Sequence, residues 1–330
     1  MKITHKHNSR IIDLILICLI SYINFYSGTG SLPVTIVLSI LLTVVFSSGT
    51  VLMSVIKLAV GLALSLVLCI YEYSAISLDF FIGFLDLYMP SFILQMCLRY
   101  KTNNLNKTVY YTAAGHIFVS CLSLAKVKYI DKSDLINEIS LMFDELSEMY
   151  TTLIPMSSDM VNIKDVAEIV ELIKNTTIMF IPAFIIVSCI VLSYIQIALS
   201  RGIIKTYLKE EHNEIEYFYQ IRIGKLLSTI TIILLLISFG SDSIYFASAV
   251  YNFAFVAGFI YIVNGLSVLY FYLIKSLKNI PVSILLFVVI LIVSLFTSIL
   301  MPVANIFTIL FVLGFLDSSA NFRKLKKVGD

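Results

Sequence analysis

Three ionisable side chains stand where apolar sequence surrounds them. Asp86 lies eight residues into a run that starts at Leu78, Lys57 lies within the run from Val51, and His116 within the run from Val109. A charged side chain at a bilayer centre costs roughly 2.5 to 3.5 kcal/mol on insertion scales, so each needs a partner or a task. Asp79, Gly83, Asp86 and Pro90 fall at offsets 0, 4, 7 and 11, one face of a helix. Ser54, Lys57, Gly61 and Ser65, at offsets 0, 3, 7 and 11, form a similar row in the preceding run. The two rows are expected to face each other. At 1.5 Å per residue Lys57 would stand ~9 Å and Asp86 ~18 Å above the inner edge, a gap that a lysine stem and one water bridge. His116 falls near the depth of Lys57.

Two readings fit this trio. A proton relay or a polar ligand pocket would use all three groups. An ion pair that sets helix register, with a neutral histidine held by a hydroxyl, would use none of them for function. Asn252, deep in a later run, is the fourth candidate ligand-binding residue. It shares its helix with Ala247, Ala254, Gly258 and Gly265 at offsets 0, 7, 11 and 18, a stripe that lets helices approach closely. Asn252 therefore either packs or reaches a ligand.

Other chemistry has no visible basis. His-Glu-x-x-His, Gly-x-Ser-x-Gly and a glycine-rich phosphate loop with its lysine do not occur, so no catalytic residue is assigned and no enzyme is expected. Cys18, Cys69, Cys97, Cys121 and Cys189 lie singly in apolar surroundings with no metal-ligand or redox spacing. They read as small buried hydrophobes, with no metal and no cofactor. Glu210, Glu211, Glu214 and Glu216 sit beside Lys205 and Lys209 and read as solvated partners. A net charge of +2 without a basic, aromatic-rich groove excludes a nucleic-acid partner.

The elements that must position these residues follow from hydropathy. Of 330 residues, 59% are hydrophobic and 13% charged, against roughly 25% charged in soluble domains. The lipid bilayer is the implied solvent. Ten apolar runs begin at Ile11, Leu32, Val51, Leu78, Val109, Thr176, Leu226, Ile244, Val282 and Val303. Residues 226–239 and 303–316 cover only ~21 Å of a ~30 Å core and either span with help from flanking residues or re-enter. Met301-Pro302 marks a break, and Asn305 can satisfy backbone freed there. The expected fold is all-α: a polytopic transmembrane helical bundle of about 8 to 10 spans.

With the N-terminus inside and every run crossing, 17 of the 23 basic residues fall on the inner side, as the positive-inside bias requires. The expected location is a bacterial cell membrane with both termini cytoplasmic. Between the halves, residues 126–175 hold ten acidic and five basic residues. Leu135, Ile139, Met142, Leu146 and Met149 are spaced 4, 3, 4 and 3; after Pro155-Met156-Ser157-Ser158 come Ile163, Val166, Val170 and Ile173. This predicts an extracytoplasmic amphipathic hairpin that either packs on itself or docks a partner protein. The domain expectation is a five-span bundle at 1–125, the hairpin at 126–175, and a bundle of three to five spans with a short tail at 176–330.

The second half carries a more particular order: Pro182, Arg201, the Asn252 helix with Asn264-Gly265-Leu266-Ser267, then Leu313-Gly314-Phe315-Leu316-Asp317 and Asn321-Phe322-Arg323-Lys324. This order resembles the YybS-like family of predicted multi-pass membrane proteins of Gram-positive bacteria. That family is similar in helical arrangement to the substrate-binding subunits of energy-coupling-factor vitamin transporters. The resemblance implies transport-type binding of a small-molecule ligand, with motion borrowed from ATP-driven coupling subunits. Those subunits dock through small residues four apart on the first helix, whereas Leu14, Cys18 and Tyr22 form one such row here and Ile15, Leu19 and Ile23 the next. The alternative is a non-catalytic membrane partner or scaffold that holds an envelope protein through the acidic hairpin.

Overall fold

The computed structural model describes residues 2–27, 32–73, 78–100, 104–153, 163–208, 217–240, 243–279, 282–290 and 306–323. In chain order come α1 (Lys2–Ser27), α2 (Leu32–Ser47), α3 (Val51–Tyr73), α4 (Leu78–Arg99), α5 (Leu105–Tyr129), α6 (Leu135–Leu153) and α7 (Ile163–Ile203). One π-helical turn (Ile204–Leu208) and a 3-10 turn (Phe218–Gln220) lead to α8 (Lys225–Phe239) and α9 (Ile244–Leu277). Then come α10, described over 282–290, and α11 (Ile306–Ala320). Every apolar run expected from hydropathy is helical over its described residues. The Pro155 break, Met301-Pro302, Asn305, the Glu210 to Glu216 carboxylates and Lys324 lie outside the described residues.

Helices α3, α4, α5, α7 and α9 contain segments long and apolar enough to cross a membrane. Helix α8, at 15 residues, reaches ~22 Å and falls short of a ~30 Å hydrocarbon core. Large apolar side chains such as Ile15, Leu52, Val67 and Leu236 stand exposed on the helix surfaces, the arrangement of a chain whose solvent is lipid. Of the five free cysteines, Cys69, Cys97 and Cys189 are buried, Cys18 is half-buried and Cys121 is exposed; the expectation that all five are buried holds for three.

The contacts divide the chain into two compact units, one of residues 1–96 with 112–209 and one of 97–111 with 210–330. The first is built around Ile17, Ile20, Leu38, Leu42, Phe46, Phe84, Leu87 and Tyr88. Gly61 admits Tyr88 against α3, since a Cβ at that position would overlap the phenol ring. Tyr88 in turn exchanges a hydrogen bond of 2.5 Å with Ser21 of α1. Lys126 near the end of α5 bridges Asp79 in the first turn of α4 at 2.8 Å and Asp131 at 2.7 Å.

Helix α6 packs along α7, with Lys174 reaching Asp144 at 2.8 Å. The helix expected from Ile163 and the apolar run from Thr176 form one continuous helix, α7, of 41 residues. No glycine or proline interrupts Ile163 to Thr177, so the amphipathic turns propagate into the apolar ones. Pro182 is accommodated inside the helix.

In the second unit, Ile223, Ala257 and Tyr261 form the core, with Leu227, Phe253, Ile260 and Phe315 against it. Helices α9 and α11 touch through glycines: a Cβ on Gly265 would overlap the Leu310 carbonyl, and one on Gly314 the Tyr261 carbonyl. The small-residue stripe is thus a close helix crossing. Helix α9 starts at Ser243, whose hydroxyl accepts from the Phe246 N–H. It ends at Lys278, held in the left-handed region at φ 51°.

Candidate functional site

Lys57 is buried, but its partner is Asp13 of α1, at 2.8 Å, where pairing with Asp86 was expected. Its ammonium also donates to the carbonyls of Val45 (2.6 Å) and Ser48 (2.8 Å) and to Ser48 Oγ (2.6 Å). The Ser48 hydroxyl donates to Asp13. The last carbonyls of a helix have no intrahelical donor and carry the negative end of its dipole. Lys57 therefore caps the C-terminus of α2, and Asp13 balances its charge. A lysine so engaged is a fastening between α1, α2 and α3.

The reason for the changed partner lies in rotation about α4. Tyr88, two residues beyond Asp86, faces Gly61 of α3; at about 100° per residue Asp86 is turned some 200° away from Tyr88. It points instead toward α5. There Gly115 permits a close approach, since a Cβ would stand 2.9 Å from Ile93 Cδ1 and 3.5 Å from Pro90 Cα. The next residue is His116, whose Nδ1 lies 4.0 Å from Asp86 Oδ1.

From His116 a chain of polar groups runs inward. His116 Nε2 stands 3.3 Å from Gln196 Oε1 on α7, so in this pairing the ring N–H donates to the amide oxygen. The Gln196 amide donates to Thr43 Oγ1 on α2 at 3.3 Å and to Ser91 Oγ on α4 at 3.4 Å. Ser91 donates to the Ser39 carbonyl at 3.0 Å and the Leu87 carbonyl at 2.8 Å. Gln196, Thr43 and Ser91 are buried, whereas the Asp86 side chain remains 44% exposed. The row thus has an accessible carboxylate at one end and a fixed amide at the other.

Two features make its outer end receptive. With Nε2 paired to Gln196, His116 Nδ1 faces the Asp86 carboxylate across 4.0 Å, a gap longer than a hydrogen bond. A proton, or a ligand group with donors such as an ammonium or hydroxyl, satisfies both. Pro90 leaves a further acceptor nearby, since it has no N–H to give the Asp86 carbonyl four residues back. Among the expected residues, Asp86 and His116 are brought together and Lys57 is assigned to a different cluster. Asn252 belongs to the second unit, where its amide donates to the Ser248 carbonyl of its own helix at 2.9 Å. Among the described residues no group of three His, Cys, Asp or Glu side chains is placed to hold a metal ion.

Gln196 and Asp13 carry weight that spacing did not reveal. Asp13 was legible only as a carboxylate within an apolar run, and Gln196 as an amide within another. In the second unit, a cluster also forms from the residues that carried the family likeness. Arg323 is wholly buried and meets Asp317 Oδ2 through Nε (3.2 Å) and Nη2 (2.7 Å). It further donates to the carbonyls of Tyr219 (2.8 Å) and Ile221 (2.5 Å), Ser267 Oγ (2.7 Å) and Asn264 Oδ1 (3.2 Å). The Asn264 amide closes the ring by donating to the Gly314 carbonyl at 2.8 Å. Every nitrogen of the guanidinium is engaged, so this cluster fastens α9, α11 and residues 219–221.

Helices of this length and polarity, with buried charge held inside the bundle, define a multi-pass helical membrane protein. The chain matches DUF2232, a family described as "Predicted membrane protein", over residues 15–318, and it belongs to that family. The family match thus covers nearly the whole chain. No curated protein and no solved structure matches it.

Proposed function

We propose that this member of the family is a transport-type protein that binds a small molecule at Asp86 and His116, with Gln196 orienting the imidazole. The observation that carries the reading is the 4.0 Å gap between His116 Nδ1 and the accessible Asp86 carboxylate at the open end of an otherwise buried polar row. A ligand that presents a protonated amine or a hydroxyl fits this gap. The YybS-like resemblance and its similarity to energy-coupling-factor substrate-binding subunits support the same class of role. The chain has no phosphate-binding loop of its own, so any ATP-driven step belongs to another subunit, and no catalytic role is assigned. The distribution of lysine and arginine favours both termini on the cytoplasmic side of the cell membrane.

Native mass spectrometry of the protein taken gently from its own membranes tests the reading. A discrete small-molecule mass retained by the parent and lost from both Asp86→Asn and His116→Phe is the expected result. Retention unchanged in both variants, or lipid as the sole adduct of the parent, would overturn it.

A further inference from the structure

We infer that the exposed face of α6 is a docking surface for a basic amphipathic helix of another protein. Helix α6 contains Glu138, Asp144, Glu145 and Glu148 and no lysine or arginine. Its Ile139, Phe143 and Ser147 are half-buried, and Asp144, on the same flank, is taken by Lys174 of α7. The opposite flank is different. At 100° per residue, Leu141, Glu145, Glu138, Met142 and Leu146 follow one another around an arc of about 140°. Leu141 and Met142 are 61% and 68% exposed, and the Glu138 carboxylate receives its hydrogen bond from a neutral donor, Ser133. Carboxylates and large apolar side chains therefore alternate across one accessible face.

Charge selects the occupant. A second copy of α6 would set the same carboxylates against each other, and an anionic bilayer surface would repel them as well. A helix with Lys or Arg flanking an apolar row offers each carboxylate a counter-charge and covers Leu141, Met142 and Leu146 together. Met142, unbranched and polarisable, adapts to such a partner. With 19 residues, α6 presents ~28 Å of length, about five turns. This inference is independent of the Asp86 site and stands or falls separately.

The test places a benzophenone photocrosslinking residue at Met142 of the full-length protein in its native membrane, repeats it at Leu141, and sequences the crosslinked peptide. The expected adduct is a segment of another protein with basic residues flanking apolar ones at helical spacing. Its yield should fall by about tenfold in Glu138→Gln/Glu145→Gln, as the loss of two ion pairs predicts, while helix content is unchanged. Crosslinks to lipid, to a second copy or to a segment without basic residues would overturn the inference. So would no adduct at either position, or a yield that ignores the charge variant.

Discussion

Two polar clusters, one in each unit, hold their groups in different ways. Around Arg323 the contacts are short and each guanidinium nitrogen has an acceptor at 2.5 to 3.2 Å. Around His116 they are longer, at 3.3, 3.4 and 4.0 Å, and the outermost pair stands beyond hydrogen-bond distance. The guanidinium has no nitrogen left for a ligand, although Asp317 Oδ1 is buried without a hydrogen-bond partner, and the cluster holds helices together. An under-filled row retains capacity, and groups left short of partners in a low-dielectric setting favour whatever completes them. Burial alone therefore does not mark function; the His116 row differs in its longer contacts and in ending on an accessible carboxylate. Lys57 belongs with Arg323 by this criterion, although its place in the sequence suggested otherwise.

Variants can break or sharpen this contrast. The largest loss of stability is expected for Arg323→Met, which strands the buried Asp317 carboxylate and should cost about 3 to 5 kcal/mol. Thermal unfolding in detergent reads the loss. Adding Asp317→Asn should recover part of it, because the stranded charge is then removed. Lys57→Met follows, near the lower end of that range at about 3 kcal/mol. Its partner Asp13 is 14% exposed and keeps some access to solvent. A midpoint unchanged in Lys57→Met would show that the α2 cap contributes little.

Gly61→Ala is expected to cost about 1 to 3 kcal/mol, because the added methyl displaces Tyr88 from α3 and strains the packing. Loss of the Ser21 to Tyr88 contact would accompany it, and an altered near-ultraviolet circular dichroism signal would report the displaced ring. The smallest effect on stability is expected for Gln196→Leu, within about 1 kcal/mol, since the bonds it removes are long. That variant should nonetheless lose retained ligand at least as strongly as it loses stability. If it unfolded as readily as Arg323→Met, the row would be a fastening and the contrast between the units would fail.

Much of this architecture was legible in the chain. Hydropathy located each apolar helix, because 3.6-residue periodicity and the absence of breakers are local properties. Cost of burial singled out Asp86, Lys57 and His116. That the Ile163 helix continues into the run from Thr176 was not legible, because amphipathic and apolar turns differ in surroundings and not in backbone geometry, so nothing local separates them. The order Asn264, Ser267, Gly314, Asp317 and Arg323 was visible as a pattern without a cause. In the structure the same residues meet around one guanidinium.

What the sequence alone determined, then, was that the chain enters a membrane, which segments are helical, and which side chains cannot face lipid. Only the tertiary structure decided their partners: Asp13 for Lys57, His116 for Asp86, and Asn264 with Asp317 for Arg323. Partner choice depends on the rotation of each helix about its axis. Rotation is set by contacts such as Tyr88 on Gly61 and Gly265 on Leu310, which join residues tens of positions apart. No local periodicity encodes that angle, and an error of half a turn sends a carboxylate to a different neighbour.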